Sequence, residues 1–231
     1  GYPGSSGLTE MDYWITDHLI HPIDTTEPSS ETKYRLNRNW TAYGLDDKLP
    51  ALTEKPAGAP ITFGVINHIG KHSREFINIW VHILKRNPNA HLLVKSVEFK
   101  DADLRINVAN YLEEMGVDRQ RLTLVGQSRS HYDHMDVYNT IDVCLDPFPY
   151  NGGTSTADAL VMGVPVVSLP GDTLKSRMGL AILTTSSFPQ WIADSPEAYI
   201  QIATDLAQTG TSLNEKQRIQ DTFLGSEMTD G

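Results

Sequence analysis

The chain has one cysteine in 231 residues, and that residue, Cys144, sits inside the apolar run "DVCLD". A disulfide or a cysteine-based zinc site within the chain is therefore excluded, and Cys144 reads as a small buried hydrophobe. No run of about 18 apolar residues occurs, so no segment reads as a membrane-spanning helix. The opening residues lack the basic and apolar regions of a secretory leader, and the chain is expected to be cytoplasmic. Positive charge is scarce: 19 Lys+Arg stand against 29 Asp+Glu, for a net charge of −10. Affinity for nucleic acid and for anionic lipid grows with cationic charge, so neither nucleic acid nor membrane is expected as a partner. A small anionic ligand is compatible with the balance, because backbone N–H groups and one or two cations can outweigh a distant negative surface. The phosphate-binding patterns GxxxxGK[ST] and GxGxxG follow none of the predicted strands, which disfavours nucleoside triphosphate hydrolysis and the usual dinucleotide fold.

What is present is an alternation of short apolar runs with helical periodicity. Residues 1 to 60 have none of it: they hold the Gly/Ser turn "GYPGSSG", one possible strand "DYWIT", the polar stretch "DTTEPSSETK" and the linker "KPAGAP". From Ile61 the texture changes. "ITFGVIN" reads as a strand, and "SREFINIWVHILKRNP" places Phe76, Ile77, Trp80, Ile83 and Leu84 on one helical face, with Ser73 as its N-cap. Strands at "HLLVKS", "RLTLVG", "DVCLD" and "VPVVSL" follow, separated by helices ending near Gly116 and starting near Ser130 and Thr154. Further helices follow, including "PEAYIQIATDLAQ". Repeated strand–helix units of this length imply an α/β fold, a Rossmann-like parallel sheet with helices on both faces. The expected division is a partial element plus linker at 1–60 and the Rossmann-like domain at 61–231.

Ligands of such sheets sit beyond the carboxyl ends of the strands, so the polar residues there are the candidates: Asn67 to Ser73, Lys95 to Glu98, Gln127 to His134, Asp146 to Thr156 and Gly171 to Arg177. In "INHIGKHS", Lys71 could set its ammonium against a phosphate, although alone it reads as a solvated loop lysine. In "NGGTSTADAL", two glycines allow close backbone approach and three hydroxyl residues open a helix whose first N–H groups have no internal partner. That arrangement suits a diphosphate and suits a simple N-cap equally well. Asp158, one turn into this helix, could accept ribose hydroxyls or only complement the helix dipole. His131 and His134 have a spacing that could serve a metal, but without an obvious third ligand; as planar hydrogen-bonding groups they could wall a nucleoside pocket, or be surface histidines. In "LPGDTLKSRMG", a helix is expected to carry Lys175 and Arg177, with Arg177 facing the site or, the favoured reading, paired to an acidic neighbour such as Asp172.

Together these loops resemble the C-terminal catalytic domain of the O-linked N-acetylglucosamine transferases, glycosyltransferase family 41. "GYPGSSG" with "MDYWITD" is similar to the close of the family's first catalytic domain, and "FGVINHIGK" to the first strand and lysine loop of its second. "DVCLDPFPYNGGTSTADALVMGVPVVSLPGDTLKSRMG" is the most specific match. The resemblance implies the C-terminal half of a GT-B glycosyltransferase, which holds UDP-N-acetylglucosamine and transfers its sugar to a protein Ser or Thr hydroxyl. By position, Lys71 would contact the diphosphate as the catalytic cation. His68 lies where the family commonly has an amide side chain. Thr154 and Ser155 would give N–H and hydroxyl donors to the phosphates, His134 would sit beside the uridine, and Asp158 would bind the ribose. Gly153 stands where animal members have a histidine, and His131 where they have a lysine. Nothing suggests a DxD metal site, so no metal or other cofactor is expected, and Lys71 with the helix start would stabilise the leaving UDP. The family's acceptor-side histidine and TPR repeats precede the segments matched here, so the chain alone is expected to transfer little. Readings that stay open are a related enzyme using UDP-glucose or another acceptor, and a noncatalytic nucleotide-binding module.

Overall fold

The computed structural model describes residues 4–45 and 48–230, so the first three residues of the expected opening turn lie outside the described residues. Two parallel sheets organise them. The smaller pairs β1 (Tyr13–Asp17) with β2 (Thr32–Leu36) in the register Tyr13↔Thr32 to Asp17↔Leu36. The larger holds β3 (Thr62–Ile66), β4 (His91–Lys95), β5 (Leu122–Val125), β6 (Val143–Leu145) and β7 (Val166–Val167), in the order β5-β4-β3-β6-β7. The helices are α1 (Arg74–Arg86), α2 (Ala102–Glu114), α3 (His131–Asp136), α4 (Thr154–Val161), α5 (Met178–Thr185), α6 (Pro196–Thr209) and α7 (Leu213–Leu224).

The sheet is buried on both faces, which is why its strands read as nearly continuous apolar runs. Phe63, Val65, Leu92 and Val94 face a core shared with α1, α2 and α6; Ile66, Leu93 and Cys144 face a second core shared with α4, α5 and α7. Ser73 caps α1 by accepting the Phe76 amide at 3.1 Å, and Phe76, Trp80, Ile83 and Leu84 of the predicted face are buried, with Ile77 packed partly against them. No described helix is long and apolar enough to cross a membrane. Strand order reverses between β3 and β6, so the loops leaving these two strands flank the crevice where such sheets hold ligands.

Three local expectations need correction. The polar stretch before Tyr34 runs into a strand, β2, whose order comes from pairing with β1 rather than from any apolar alternation of its own. The strand expected over "VPVVSL" is short, because Ser168 turns to bridge Ile192: its amide donates to Trp191 O at 3.1 Å and its carbonyl accepts from Ala193 N at 2.8 Å. Lys175 lies in a 3₁₀ turn and Arg177 caps α5 instead of riding on a helix. Arg177 donates to the carbonyls of Leu19 (2.8 Å) and Gly171 (3.1 Å), so its fork of N–H groups serves backbone oxygens and not Asp172.

The segment before the main sheet is fastened to it. Glu27 Oε2 accepts Leu174 N at 2.6 Å and lies 2.8 Å from His21 Nε2, while Ile20 packs with Leu174 and Ala181. At the other end of α4, Gly163 has φ +68°, and a Cβ there would lie 2.4 Å from the Lys216 carbonyl of α7. Gly163→Ala combines a left-handed backbone with a backbone clash. It is expected to lower unfolding free energy by about 3 kcal/mol, read as a lower urea midpoint with unchanged slope.

Candidate functional site

The crevice is organised from beneath by a buried carboxylate. Asp146, at the end of β6, is 2% exposed and accepts Gly152 N (2.6 Å), Thr156 Oγ1 (3.3 Å) and Ser168 Oγ (2.5 Å). These bonds fold residues 147–152 back over the strand and fix where α4 begins. Gly152 is required at the close approach: a Cβ would stand 2.5 Å from Ser155 Oγ and 2.9 Å from Asp146 Oδ1. Asn151 is locked by its own amide to the carbonyls of Pro147 (2.8 Å) and Leu169 (3.3 Å). Among the described residues no hydrogen bond takes up the amides of Gly153, Thr154 and Ser155. They form an open, positively polarised helix start.

That start faces a cavity of about 580 Å³ whose wall includes His68 and Lys71 from the loop between β3 and α1 and His134 from α3, with Gly153, Thr154, Ser155 and Asp158 from the start of α4. Seven of the eight sequence-derived candidates therefore meet in one place. The eighth, His131, lies exposed on the first turn of α3, its ring 6.0 Å from that of His134 and outside the cavity wall. His68 is half committed elsewhere: Nε2 lies 2.5 Å from Glu98 Oε1, and Nδ1 accepts Gly70 N at 3.1 Å. Ser155 Oγ donates to Asn67 Oδ1 at 3.1 Å. Asp158, 3% exposed, accepts the Tyr43 hydroxyl on Oδ1 at 2.5 Å and presents Oδ2 3.7 Å from His134 Nε2.

Two lysines supply the charge. Lys71 Nζ donates to the Asn151 carbonyl at 2.9 Å and sits 4.1 Å from the centre of the Tyr150 ring. Burial pulls its pKa below the ordinary lysine value, with Asp146 opposing. Lys95, at the carboxyl end of β4, is 5% exposed, lines the cavity and donates to His134 Nδ1 at 2.9 Å; burial lowers its pKa too. Neither ammonium has a carboxylate within ion-pair distance among the described residues. Two desolvated cations and three open amides make a site that an anionic ligand would complete. Among the described residues no group of three or more His, Cys, Asp or Glu is placed to hold a metal ion. From sequence, Lys95 and Asp146 stand only at the head of two candidate stretches, as polar residues ending apolar strands with no role of their own, and Tyr43 carries no signal at all.

Residues 51–229 match glycosyl transferase family 41. The chain belongs to this family. Over its whole length it is 32% identical to the probable UDP-N-acetylglucosamine–peptide N-acetylglucosaminyltransferase SPINDLY of Arabidopsis thaliana, and it covers 26% of that protein. With the SPINDLY protein of Oryza sativa subsp. japonica the identity is 33%, again over the whole chain, with 25% of the relative covered. This family 41 chain thus spans about a quarter of the length of these relatives. Among solved structures, a mutant O-GlcNAc transferase of Thermobaculum terrenum matches with a TM-score of 0.87 at 29% identity, over 98% of this chain and 44% of that one. The Rossmann-like α/β fold expected from sequence is the one this GT-B enzyme shares.

Burial raises the Asp146 carboxyl to about 6, while Ser168, Gly152, the Lys71 ammonium and Thr156 each pull it back. A carboxyl raised in the folded state stabilises the fold most below its unfolded value, 3.8, and that contribution is lost as pH rises through about 6. Asp146→Asn keeps the shape and the Oδ1 acceptor without titrating, and its amide can donate to the Ser168 hydroxyl that Oδ2 now accepts from. The stability of the native chain relative to this variant should therefore fall between about pH 4 and 6 and be level above, in urea titrations across that range. Asp146→Ala strands the donors it serves and should cost roughly 3 kcal/mol or more at any pH.

Proposed function

We propose that the chain is the donor-binding part of a UDP-N-acetylglucosamine:protein Ser/Thr O-glycosyltransferase, with residues 61–231 as the nucleotide-binding domain and residues 1–60 as part of an acceptor-side domain plus linker. The observation that carries this reading is the meeting of Lys71 with the open amides of Gly153, Thr154 and Ser155 on one cavity at the switch point of the sheet. Membership in family 41 and the activity for which the relatives are named suggest the substrate class. The exposed face formed by Tyr13, Ile15 and Tyr34 on the small sheet supports a docking role for residues 1–60 against further strands of such a domain.

The chemistry follows from charge. Breaking the bond between sugar and diphosphate leaves negative charge on the UDP oxygens, and donors already aimed at that position stabilise the transition state without reorganising. Lys71 supplies a full charge, and the amides of residues 153–155 supply the helix-terminus field. In this reading their sum does the work of a metal. Thr154 and Ser155 add hydroxyl donors, Asp158 accepts ribose hydroxyls, and His134 lies against the nucleoside, with His131 at the outer edge. His68 borders the same cleft and is shared with Glu98. The acceptor protein and its base belong to the part of the enzyme that residues 61–231 do not contain, so the isolated chain binds donor and turns over little.

Calorimetry on this chain with UDP, UDP-N-acetylglucosamine, UDP-glucose and uridine tests the reading. UDP is expected to bind more tightly than uridine, and absence of UDP binding at millimolar ligand contradicts it. Lys71→Ala should weaken UDP by roughly 10-fold or more, the size of a lost charge-assisted hydrogen bond, and change uridine less than about twofold. Equal losses for both ligands would remove Lys71 from the phosphate site.

A further inference from the structure

The cavity contains a buried cation to which the donor-site reading assigns no phosphate. Lys95 ends β4 and is 5% exposed, and among the described residues the one hydrogen-bond partner of its ammonium is a ring nitrogen, His134 Nδ1, at 2.9 Å. An ammonium has three donors and no acceptor. At that distance Nδ1 must be the bare, accepting nitrogen, and a neutral imidazole then carries its hydrogen on Nε2. The remaining groups facing His134 agree with this assignment: Nε2 is directed at Asp158 Oδ2, 3.7 Å away, while Tyr138 and His131 approach only with their rings, at 5.9 and 6.0 Å.

The 3.7 Å gap is too long for a direct hydrogen bond. It separates a donor from an acceptor, and a hydroxyl oxygen at ordinary hydrogen-bond distance from both fits across it, accepting from Nε2–H and donating to Oδ2. Asp158 cannot swing to close the gap, because the Tyr43 hydroxyl holds its other oxygen at 2.5 Å. Without the lysine, the imidazole would be free to take the other tautomer. Nε2 would then be an acceptor facing a carboxylate, and no single hydroxyl could satisfy both atoms.

We propose that Lys95 is a positioning residue for the donor ribose, setting the tautomer of His134 so that His134 Nε2–H and Asp158 Oδ2 together clasp one sugar hydroxyl. The tautomer half stands on the ligand-free geometry; the ribose half rests on the donor-site reading. Lys95 touches no substrate in this scheme.

Two measurements on the same chain test it. With ¹⁵N-labelled histidine, long-range ¹⁵N–¹H spectra of the ligand-free protein should show His134 with bare Nδ1 and protonated Nε2; hydrogen on Nδ1 overturns the proposal. Calorimetry should then show UDP preferred over 2′,3′-dideoxy-UDP by about tenfold, the scale of a well-made hydrogen-bond pair. Lys95→Met should cut that preference below about threefold and mix the tautomers, with Lys95→Arg, which keeps a donor, restoring both. An undiminished preference in Lys95→Met, with the fold intact, contradicts the proposal. Should Lys95→Met fail to fold, the native tautomer and the Lys95→Arg preference still decide it. If the native chain binds neither nucleotide, the donor-site reading fails, and the ligand-free spectra separately decide the tautomer claim.

Discussion

The bonds from the Asp146 carboxylate to Gly152 N, Thr156 Oγ1 and Ser168 Oγ are the interaction on which the site depends. They set the path of the "DPFPYNGG" turn, and with it the direction of α4. A helix start in solvent is a weak and generic anion site. Here the start of α4 is held at the switch point of a parallel sheet with its first amides left open, which is the geometry the proposed diphosphate site needs. The cost is a carboxylate kept out of water, visible in its raised pKa, and the surrounding donors and the Lys71 ammonium offset it.

The electrostatics of the chain are divided by scale. A net charge of −10 covers the molecule, yet the cavity walls bring two desolvated lysines without carboxylate partners among the described residues. Over the Debye length of physiological salt the acidic surface is largely screened, whereas groups inside the crevice act on a ligand at contact distance. The acidic surface argues against a polyanionic partner without arguing against a diphosphate. The same separation lets Asp158 stay inside the cleft proposed to take the diphosphate: it lies one turn into α4, its Oδ1 held by the Tyr43 hydroxyl, where the proposal gives it a sugar hydroxyl and not the phosphates.

Local physics made much of this legible in the sequence. The β3, β4, β5 and β6 runs are apolar because both faces of the sheet are covered, and α1 shows its periodicity and its Ser73 cap directly. The helix start at Thr154 follows from two glycines and three hydroxyl residues. What was hidden depends on distant partners. The strand β2 exists through its pairing with β1. The pairing of Lys95 with His134 spans 39 residues, and that of Tyr43 with Asp158 spans 115. Asp146 reads as a polar residue at a strand end until the three donors converge on it. His131 and His134 stand three residues apart on α3 with their rings 6.0 Å apart, yet only His134 reaches the cavity wall while His131 is exposed on the first turn, a difference their spacing does not reveal.

In the proposed donor site the open amides at the start of α4 and the Lys71 ammonium hold one diphosphate between them. A crystal structure of this chain soaked with UDP tests it most directly. The account predicts diphosphate oxygens within hydrogen-bond distance of Thr154 N, Ser155 N and Lys71 Nζ, with the ribose toward Asp158. UDP bound elsewhere, or bound here with its diphosphate turned out to solvent, would contradict it.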